Sequence, residues 1–517
     1  MAVPTKAELS VIAGSALLTV LAFPNFDLWF LAWISLSPLL IVIARAPSLA
    51  RATVAGWVWG LIFFYGTCWW LTFPMIRYGG ISPWLAYPLL LLPVMLVALF
   101  TALFAALLWQ ITRGFGLGLM LLAPVLWVSV EWLRYVVTGM LWSALGYSQA
   151  FHPMLIQTAR WGGVYAVSFL ILATNSAVAF ALLRQTKRAL IGLVLILAGA
   201  CAAIIGSQMR APRASDPGSQ IVIAVQPNVP MNLNGDPKQM DALLKQHLAL
   251  SLSALADSRV RSEFSDNPFP RMVIWPESPM NFSYSRDPKL RQVLGDFTRS
   301  NHVSLLLNSL EPGQNGGDQN SAILVNEKGE MSARYDKIRL MPFGEYVPLP
   351  QWLPGASSVR GLVGEFKPGS SYTLMPLGAL RAGVFICIEA AHPGIARNFT
   401  HEGAEVLVNI SNDGYLGPTS VMRQHLSNAV FRAVENNRDL LRVTNTGITT
   451  YINSNGGLRD MTGGFQESVR IWNVSAANDQ TTFYTRHGDL FVYACALMGL
   501  GVVSASLMRR RSSEARP

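Results

Sequence analysis

Charge and cysteine are both scarce in this chain. Only 14% of its 517 residues are charged, against about a quarter in an ordinary soluble domain. With 51% hydrophobic residues and a mean hydropathy of +0.34, that shortage argues against a wholly soluble protein and for a membrane one. Cysteine occurs four times. Cys68, Cys201 and Cys495 lie in apolar runs, where cysteine is an ordinary small hydrophobe, so a disulfide framework is excluded. Internal repeats and low-complexity segments are absent too. The net charge of +10 invites a nucleic-acid reading. The basic residues fall instead in loops between apolar runs, with no basic stripe carrying interleaved aromatics, so no nucleic-acid partner is expected.

What the chain has in abundance is apolar sequence, crowded into residues 9–207 and again 489–508. Eight runs stand out, roughly 7–24, 28–44, 53–73, 83–111, 115–136, 161–183, 188–207 and 489–508. Each approaches the ~20 helical residues that a bilayer core requires. The first follows Lys6 like a signal peptide, but no small-residue cleavage site comes after it and further runs do, so it reads as a retained helix. Lys6, Arg45, Arg51, Arg113, Arg184, Lys187, Arg188 and Arg509–Arg511 fall in alternate loops. By the positive-inside rule these loops are cytoplasmic. The expectation is a seven-helix transmembrane domain over 1–207, a transmembrane helix over 489–508 and a basic cytoplasmic tail over 509–517. Both termini are then cytoplasmic and the region between lies outside. The runs contain few charges, such as Glu131 and Arg134, and no chain of them resembling a proton relay, which argues against transport. The segment 137–160, with Trp142, Tyr147, Gln149 and His152, has two readings: a substrate entrance, or an interfacial aromatic belt.

Residues 220–475 have globular composition. Apolar, partly β-branched stretches read as buried strands at 221–226, 271–275, 304–310, 321–326, 380–387, 404–411 and 440–447. Helical patterns at 237–257, 287–301, 392–401 and 418–437 alternate with them, which makes this region an α/β domain. The stretch 209–219 reads as its linker.

Reactive side chains follow three of these segments. Glu277 follows "RMVIW", Lys337 and Glu345 lie in "ARYDKIRLMPFGEYVP" after "SAILVN" and a turn, and Cys387 ends "LRAGVFIC". Chemistry in open α/β sheets gathers at the carboxyl ends of strands. A thiol is mostly protonated near neutral pH; a carboxylate beside it serves as general base. Lys337 and the backbone N–H of Ile388 would stabilise the oxyanion of an attacked carbonyl, and Glu345 would hold the lysine charged. Each residue also has a plainer reading. Cys387 can be a packed strand residue, Glu277 a turn acid, Lys337 a solvated lysine, and Glu345 and Glu389 arginine partners. Spacing alone leaves these readings open.

"WPES", "YDKIRLMPFGEYVP" and "FICIE" resemble the Glu-Lys-Cys triad of the nitrilase (carbon–nitrogen hydrolase) superfamily. "MPFGEYVPLP", "VNISNDGYLG" and "QHLSNAVFRAVENNRDLLRVTNTG", with the many apolar runs, resemble its membrane branch, the apolipoprotein N-acyltransferases. The resemblance implies an αββα sandwich facing the periplasm of a bacterial inner membrane, carried on about eight helices. It implies Glu277 as base, Lys337 as oxyanion stabiliser and Cys387 as nucleophile, with Glu345 and Glu389 as supporting acids. Ile388 stands where many members carry Tyr and Tyr415 where many carry Trp; both keep bulk. The implied reaction takes an acyl chain from a phospholipid, typically phosphatidylethanolamine, onto Cys387 as a thioester. The chain then passes to the α-amino group of the diacylglyceryl-cysteine of an apolipoprotein, with no metal or cofactor. The alternative is a membrane-tethered amidase or nitrilase in which water resolves the thioester. The Gly-, Ser- and Pro-rich stretches 353–362 and 363–371 read either as a mobile lid or as a plain surface loop.

Overall fold

The structure, a computed structural model, describes residues 3–206, 220–231, 236–257, 271–313, 316–347, 365–475 and 480–514. It comprises two compact units. The first is helical and consists of Met1–Ala211, Thr482–Pro517 and a short excursion, Thr419–Ser427. All eight apolar runs carry helix. Among the described residues, five segments are long and apolar enough to cross a membrane: Leu49–Arg77, Pro83–Phe115, Leu117–Thr138, Ala159–Arg184 and Leu490–Arg509.

The run at 28–44 is not one rod. It breaks into a 3-10 turn at Trp29–Leu31 and helices at Ala32–Ser35 and Ser37–Arg45. Pro38 has no N–H to donate and disfavours helix at the residue before it. The freed backbone groups need partners in an apolar setting, and the buried Asn175 supplies them. Its Oδ1 accepts from the N–H groups of Leu36 and Ser37 at 2.9 Å each, and its Nδ2 donates to the Ala32 carbonyl at 2.8 Å.

Elsewhere small residues let helices touch. A Cβ at Gly56 would lie 2.4 Å from the Thr101 carbonyl oxygen, so Leu49–Cys68 and Pro83–Phe115 meet backbone to backbone, as small-xxx-small pairs allow. Glu131 accepts from the Leu145 N–H at 2.9 Å and Arg134 donates to the Trp142 carbonyl at 2.7 Å. These two charges thereby pin the segment after their own helix. That segment is not an aromatic belt, because Trp142, Tyr147 and Gln149 are buried. Gln149 accepts from Trp33 at 3.1 Å and donates to the Trp29 carbonyl at 3.0 Å. The indoles of Trp70 and Trp142 both donate to Oε1 of Gln424 in the excursion, at 3.0 and 2.9 Å.

Among the described residues the second unit holds two six-stranded sheets. The first contains β1 (Gln220–Gln226), β2 (Arg271–Ile274), β3 (Val303–Pro312), β4 (Asp318–Val325), β5 (Met331–Asp336) and β12 (Ser468–Val474), in the order β12-β1-β2-β3-β4-β5. The second contains β6 (Leu374–Leu377), β7 (Leu380–Ile386), β8 (Val406–Ser411), β9 (Asp439–Thr444), β10 (Thr450–Ile452) and β11 (Leu458–Arg459), in the order β11-β10-β9-β8-β7-β6. In each, three parallel strands (β1-β2-β3 and β7-β8-β9) are flanked by antiparallel ones.

The parallel strands are buried on both faces, which is why they read as unbroken apolar runs. On the first sheet Ile221, Ile223, Val225, Val273, Trp275, Leu305 and Leu307 pack with Leu290, Leu294 and Phe297 of helix Pro288–Asn301 and with Ala254 and Leu255 of helix Pro237–Leu255. Their alternate neighbours Val222, Ala224 and Leu306, also buried, point to the opposite face. Gln226 of β1 accepts from Thr444 of β9 at 3.3 Å, tying sheet to sheet. On the second sheet helix Pro393–His401 seats Phe399 so close to Gly383 that a Cβ there would lie 2.6 Å from it. The layers form the expected αββα sandwich.

Five strands lie outside the sequence reading, β5, β6, β10, β11 and β12, and all but β10 are sheet edges. "MSARYD" is β5, an edge strand, where a turn into the lysine segment was expected; only Tyr335 in it is fully buried. "SVRIWNV" is β12, the opposite edge, and also half polar. An edge strand shows one solvated face and so has a weak apolar signature. The linker at 209–219 and residues 353–364 of the expected lid lie outside the described residues.

His247 sits in the first sheet's core, its ring 4.9 Å from Trp275 and 6.0 Å from Phe282. Burial pushes its pKa down to about 4. His392 is pushed to about 3 by burial and by Arg339, Arg432 and Lys337. The unfolded chain takes up these protons near pH 6.5. Stability is therefore complete above about pH 6.5 and is lost as pH falls toward about 4, by up to about 1.4 kcal/mol per unit for each histidine. The thermal midpoint should fall over that window, and less steeply in His247→Phe; equal slopes would contradict the assignment.

Candidate active site

The turns after β2, β5 and β7 carry Glu277, Lys337 and Cys387. The best-defined contacts are those of Lys337, whose side chain is 1% exposed. Its Nζ lies 2.9 Å from a Glu345 carboxylate oxygen and 3.4 Å from Oε1 of Glu277. Burial works against the ammonium, but Glu277 and Glu345 outweigh it and hold Lys337 above the usual lysine range, so the lysine is charged.

Asn320, on β4, binds the two acids together. Its Nδ2 donates to Glu277 at 3.0 Å and to Glu345 at 2.6 Å. Its Oδ1 accepts from Asn308 of β3 at 2.6 Å, which fixes the amide with its donor end toward the carboxylates. The N–H of Met341 holds the other Glu345 oxygen at 2.7 Å. Sequence reasoning missed Asn308 and Asn320. The signal that would have found them is an amide side chain within each of two buried strands, which needs a partner there.

Cys387 opens a 3-10 turn, Cys387–Ala391, directly after β7. It has φ +52°, a left-handed conformation costing a non-glycine residue about 1–2 kcal/mol. Burial raises the thiol pKa, and Glu277 raises it further, while Lys337 lowers it. The resting group is therefore a protonated thiol, and Glu277 and Lys337 both act on it electrostatically.

Glu389 joins the Cys387 turn to the lysine segment. Its Oε1 accepts from the Tyr335 hydroxyl at 2.8 Å and from the N–H groups of Ile338 and Arg339 at 2.8 and 3.0 Å. Its Oε2 accepts from the Ile386 N–H at 2.8 Å. Burial pushes this carboxyl above its usual range against the pull of those donors. In place of the arginine of the plainer reading it has four donors, three of them backbone. Ile388 is buried in the turn, whose first N–H groups have no acceptor within it. Tyr415 lies in the 3-10 turn Gly414–Leu416 after β8, the strand that pairs with β7, and is partly buried.

Glu389→Gln keeps size but aims an amide's donors at other donors. It should destabilise the second unit by about 3 kcal/mol, lowering its thermal midpoint by roughly 10 °C. An unchanged midpoint would show that Glu389 does not join the two segments.

The description "Apolipoprotein N-acyltransferase N-terminal domain" matches residues 15–177 and "Carbon-nitrogen hydrolase" matches residues 265–481. The chain is similar to the apolipoprotein N-acyltransferase of Geobacter metallireducens, at 34% identity over 99% of this chain and 97% of that one. It is also similar to that of Azotobacter vinelandii, at 32% over 99% and 96%. Among solved structures, an amidase from Nesterenkonia sp. superposes with a TM-score of 0.38 at 18% identity, covering 55% of this chain and 99% of the amidase. The full-length likeness and both matched domains agree with the two units of the structure: this chain belongs to the apolipoprotein N-acyltransferase family, the membrane branch of the carbon–nitrogen hydrolases.

Proposed function

We propose that this enzyme moves an acyl chain from a membrane phospholipid, phosphatidylethanolamine foremost, to the α-amino group of the diacylglyceryl-cysteine that begins an apolipoprotein. The observation that carries the reading is Lys337, buried and charged between Glu277 and Glu345, beside a thiol held in a strained turn at the end of β7. Such a site activates a nucleophile and stabilises an oxyanion, the two needs of acyl transfer.

In the first half-reaction Glu277 takes the thiol proton and the Cys387 sulfur attacks the ester carbonyl. The oxyanion is met by Lys337 and the N–H of Ile388. The C–O bond then breaks, Glu277 returns its proton to the leaving lysophospholipid oxygen, and a thioester remains. In the second, the α-amine attacks the thioester, Glu277 removes the amine's proton, the C–S bond breaks and the thiol is restored. An α-amine with a pKa near 7.7–8.0 is partly neutral at physiological pH. Glu345 keeps Lys337 charged, Glu389 holds the nucleophile turn, and Tyr415, in the turn after β8, is a supporting residue. Both substrates are anchored in a bilayer by their own acyl chains, so an enzyme anchored in the same bilayer meets them by lateral diffusion.

The Lys and Arg distribution among the loops supports an inner-membrane protein with both termini cytoplasmic, and with the catalytic domain, 220–475, on the periplasmic side. The transmembrane parts are then 1–207 and 489–508, and the basic tail 509–517 is cytoplasmic.

The test is transfer in detergent or vesicles, with phosphatidylethanolamine as donor and a synthetic diacylated lipopeptide as acceptor. The expected result is N-acylated lipopeptide and lysophospholipid in equal amounts, with a Cys387→Ala variant inactive. Free fatty acid formed as fast without the lipopeptide as with it would favour the hydrolase reading instead.

A further inference from the structure

Behind the nucleophile turn lies a buried chain of polar contacts that the reaction above does not use. Asn409, on β8, donates through Nδ2 to the carbonyls of Phe385 and Cys387, at 3.2 and 3.4 Å. One primary amide thus clamps the backbone on both sides of Ile386, where the strand gives way to the left-handed residue. The clamp works only if the amide faces the right way round. Arg442, on β9, settles that: its NH1 donates to Oδ1 of Asn409. A guanidinium has no acceptor, so the amide oxygen must face it and the amide nitrogen must face the turn.

Arg442 is itself fully buried, and its charge is met by Asp413 just beyond the end of β8. NH2 lies 3.2 and 3.0 Å from the two carboxylate oxygens, and the side chains are 0% and 2% exposed. The carboxylate is packed in place, since a Cβ at Gly447 would lie 2.1 Å from its Oδ2. Asp413 also acts on the thiol, raising its affinity for a proton. The charged groups that act on the Cys387 thiol include Glu277 after β2, Lys337 and Glu345 after β5 and Asp413 after β8; Glu389 and His392 lie on its own segment and Arg442 on β9.

We infer that Arg442 and Asp413 are a charge-balanced pair of positioning residues for the nucleophile: Arg442, through Asn409, holds Cys387 in its left-handed conformation, and Asp413 cancels the positive charge that Arg442 buries behind the turn. The inference rests on the reading of Cys387 as the nucleophile. A buried pair one strand from a thiol is screened little by solvent, so unbalancing it moves the thiol in a direction that depends on which charge is lost.

The test is the rate of Cys387 alkylation by iodoacetamide as a function of pH, read by mass spectrometry of the Cys387 peptide from folded, full-length protein. It measures the thiol alone, so it stands whether or not acyl transfer is found. Arg442→Gln leaves Asp413 unbalanced and should displace the profile to higher pH by about one unit; Asp413→Asn leaves Arg442 unbalanced and should displace it about as far to lower pH. The double variant Asp413→Asn/Arg442→Gln, balanced again, should return the midpoint to the native value. Arg442→Lys keeps the charge but loses the fork; it should keep the midpoint and lower the plateau rate, and it carries the test if Arg442→Gln does not fold. Displacement of both single variants in the same direction, or no displacement in either, would overturn the inference and leave the pair a packing feature. So would a displaced midpoint in Arg442→Lys.

Discussion

A buried ammonium with two carboxylates around it is the constraint on which the catalytic unit depends. Lys337 is almost wholly removed from water, and an isolated charge there would be prohibitive. Glu277 and Glu345 offset that cost only while both stay in place, so the surrounding structure is devoted to holding them. Asn320 ties one to the other, Asn308 orients Asn320, and Met341 secures the far oxygen of Glu345. The lysine therefore sits charged before any substrate arrives, which is what oxyanion stabilisation without reorganisation requires. The same charge lowers the proton affinity of a thiol that burial alone would make inert.

Primary amides recur at the points of greatest constraint in both units. Asn175 bridges a broken helix, Gln424 gathers two indoles, Asn320 joins two acids, and Asn409 clamps a strained turn. Each has a donor end and an acceptor end, so it links unlike groups without adding charge to the interior. In the helical unit this matters most, because a backbone group freed by Pro38 has no water to turn to.

The sequence displays the parallel strands β1, β2, β3, β7, β8 and β9 clearly, because strands buried on both faces are apolar throughout. It displays β5 and β12 poorly, because an edge strand shares one face with water. Glu277, Lys337 and Cys387 are legible as reactive groups following strands, and the resemblance to a known family assigns them roles. Asn308, Asn320, Asn409 and Arg442 are not legible as site residues. Their importance lies in partners 12 to 43 positions away, contacts made by register between strands and invisible to local pattern. Glu389 was visible as an acid, but its four donors come from β5, the segment after it and the end of β7, which no spacing rule connects. The broken helix at 28–44 was hidden for a similar reason: hydropathy records that a run is apolar, not whether its backbone is continuous.

The central claim is that Cys387 carries the acyl chain between the two substrates. The most direct measurement is the intact mass of the purified enzyme after incubation with phosphatidylethanolamine alone, compared with Cys387→Ala. The account predicts a mass increase of one acyl chain, mapped to Cys387, released by neutral hydroxylamine and absent from the variant. An acyl adduct on another residue, or N-acylated lipopeptide made by Cys387→Ala at the native rate, would contradict it.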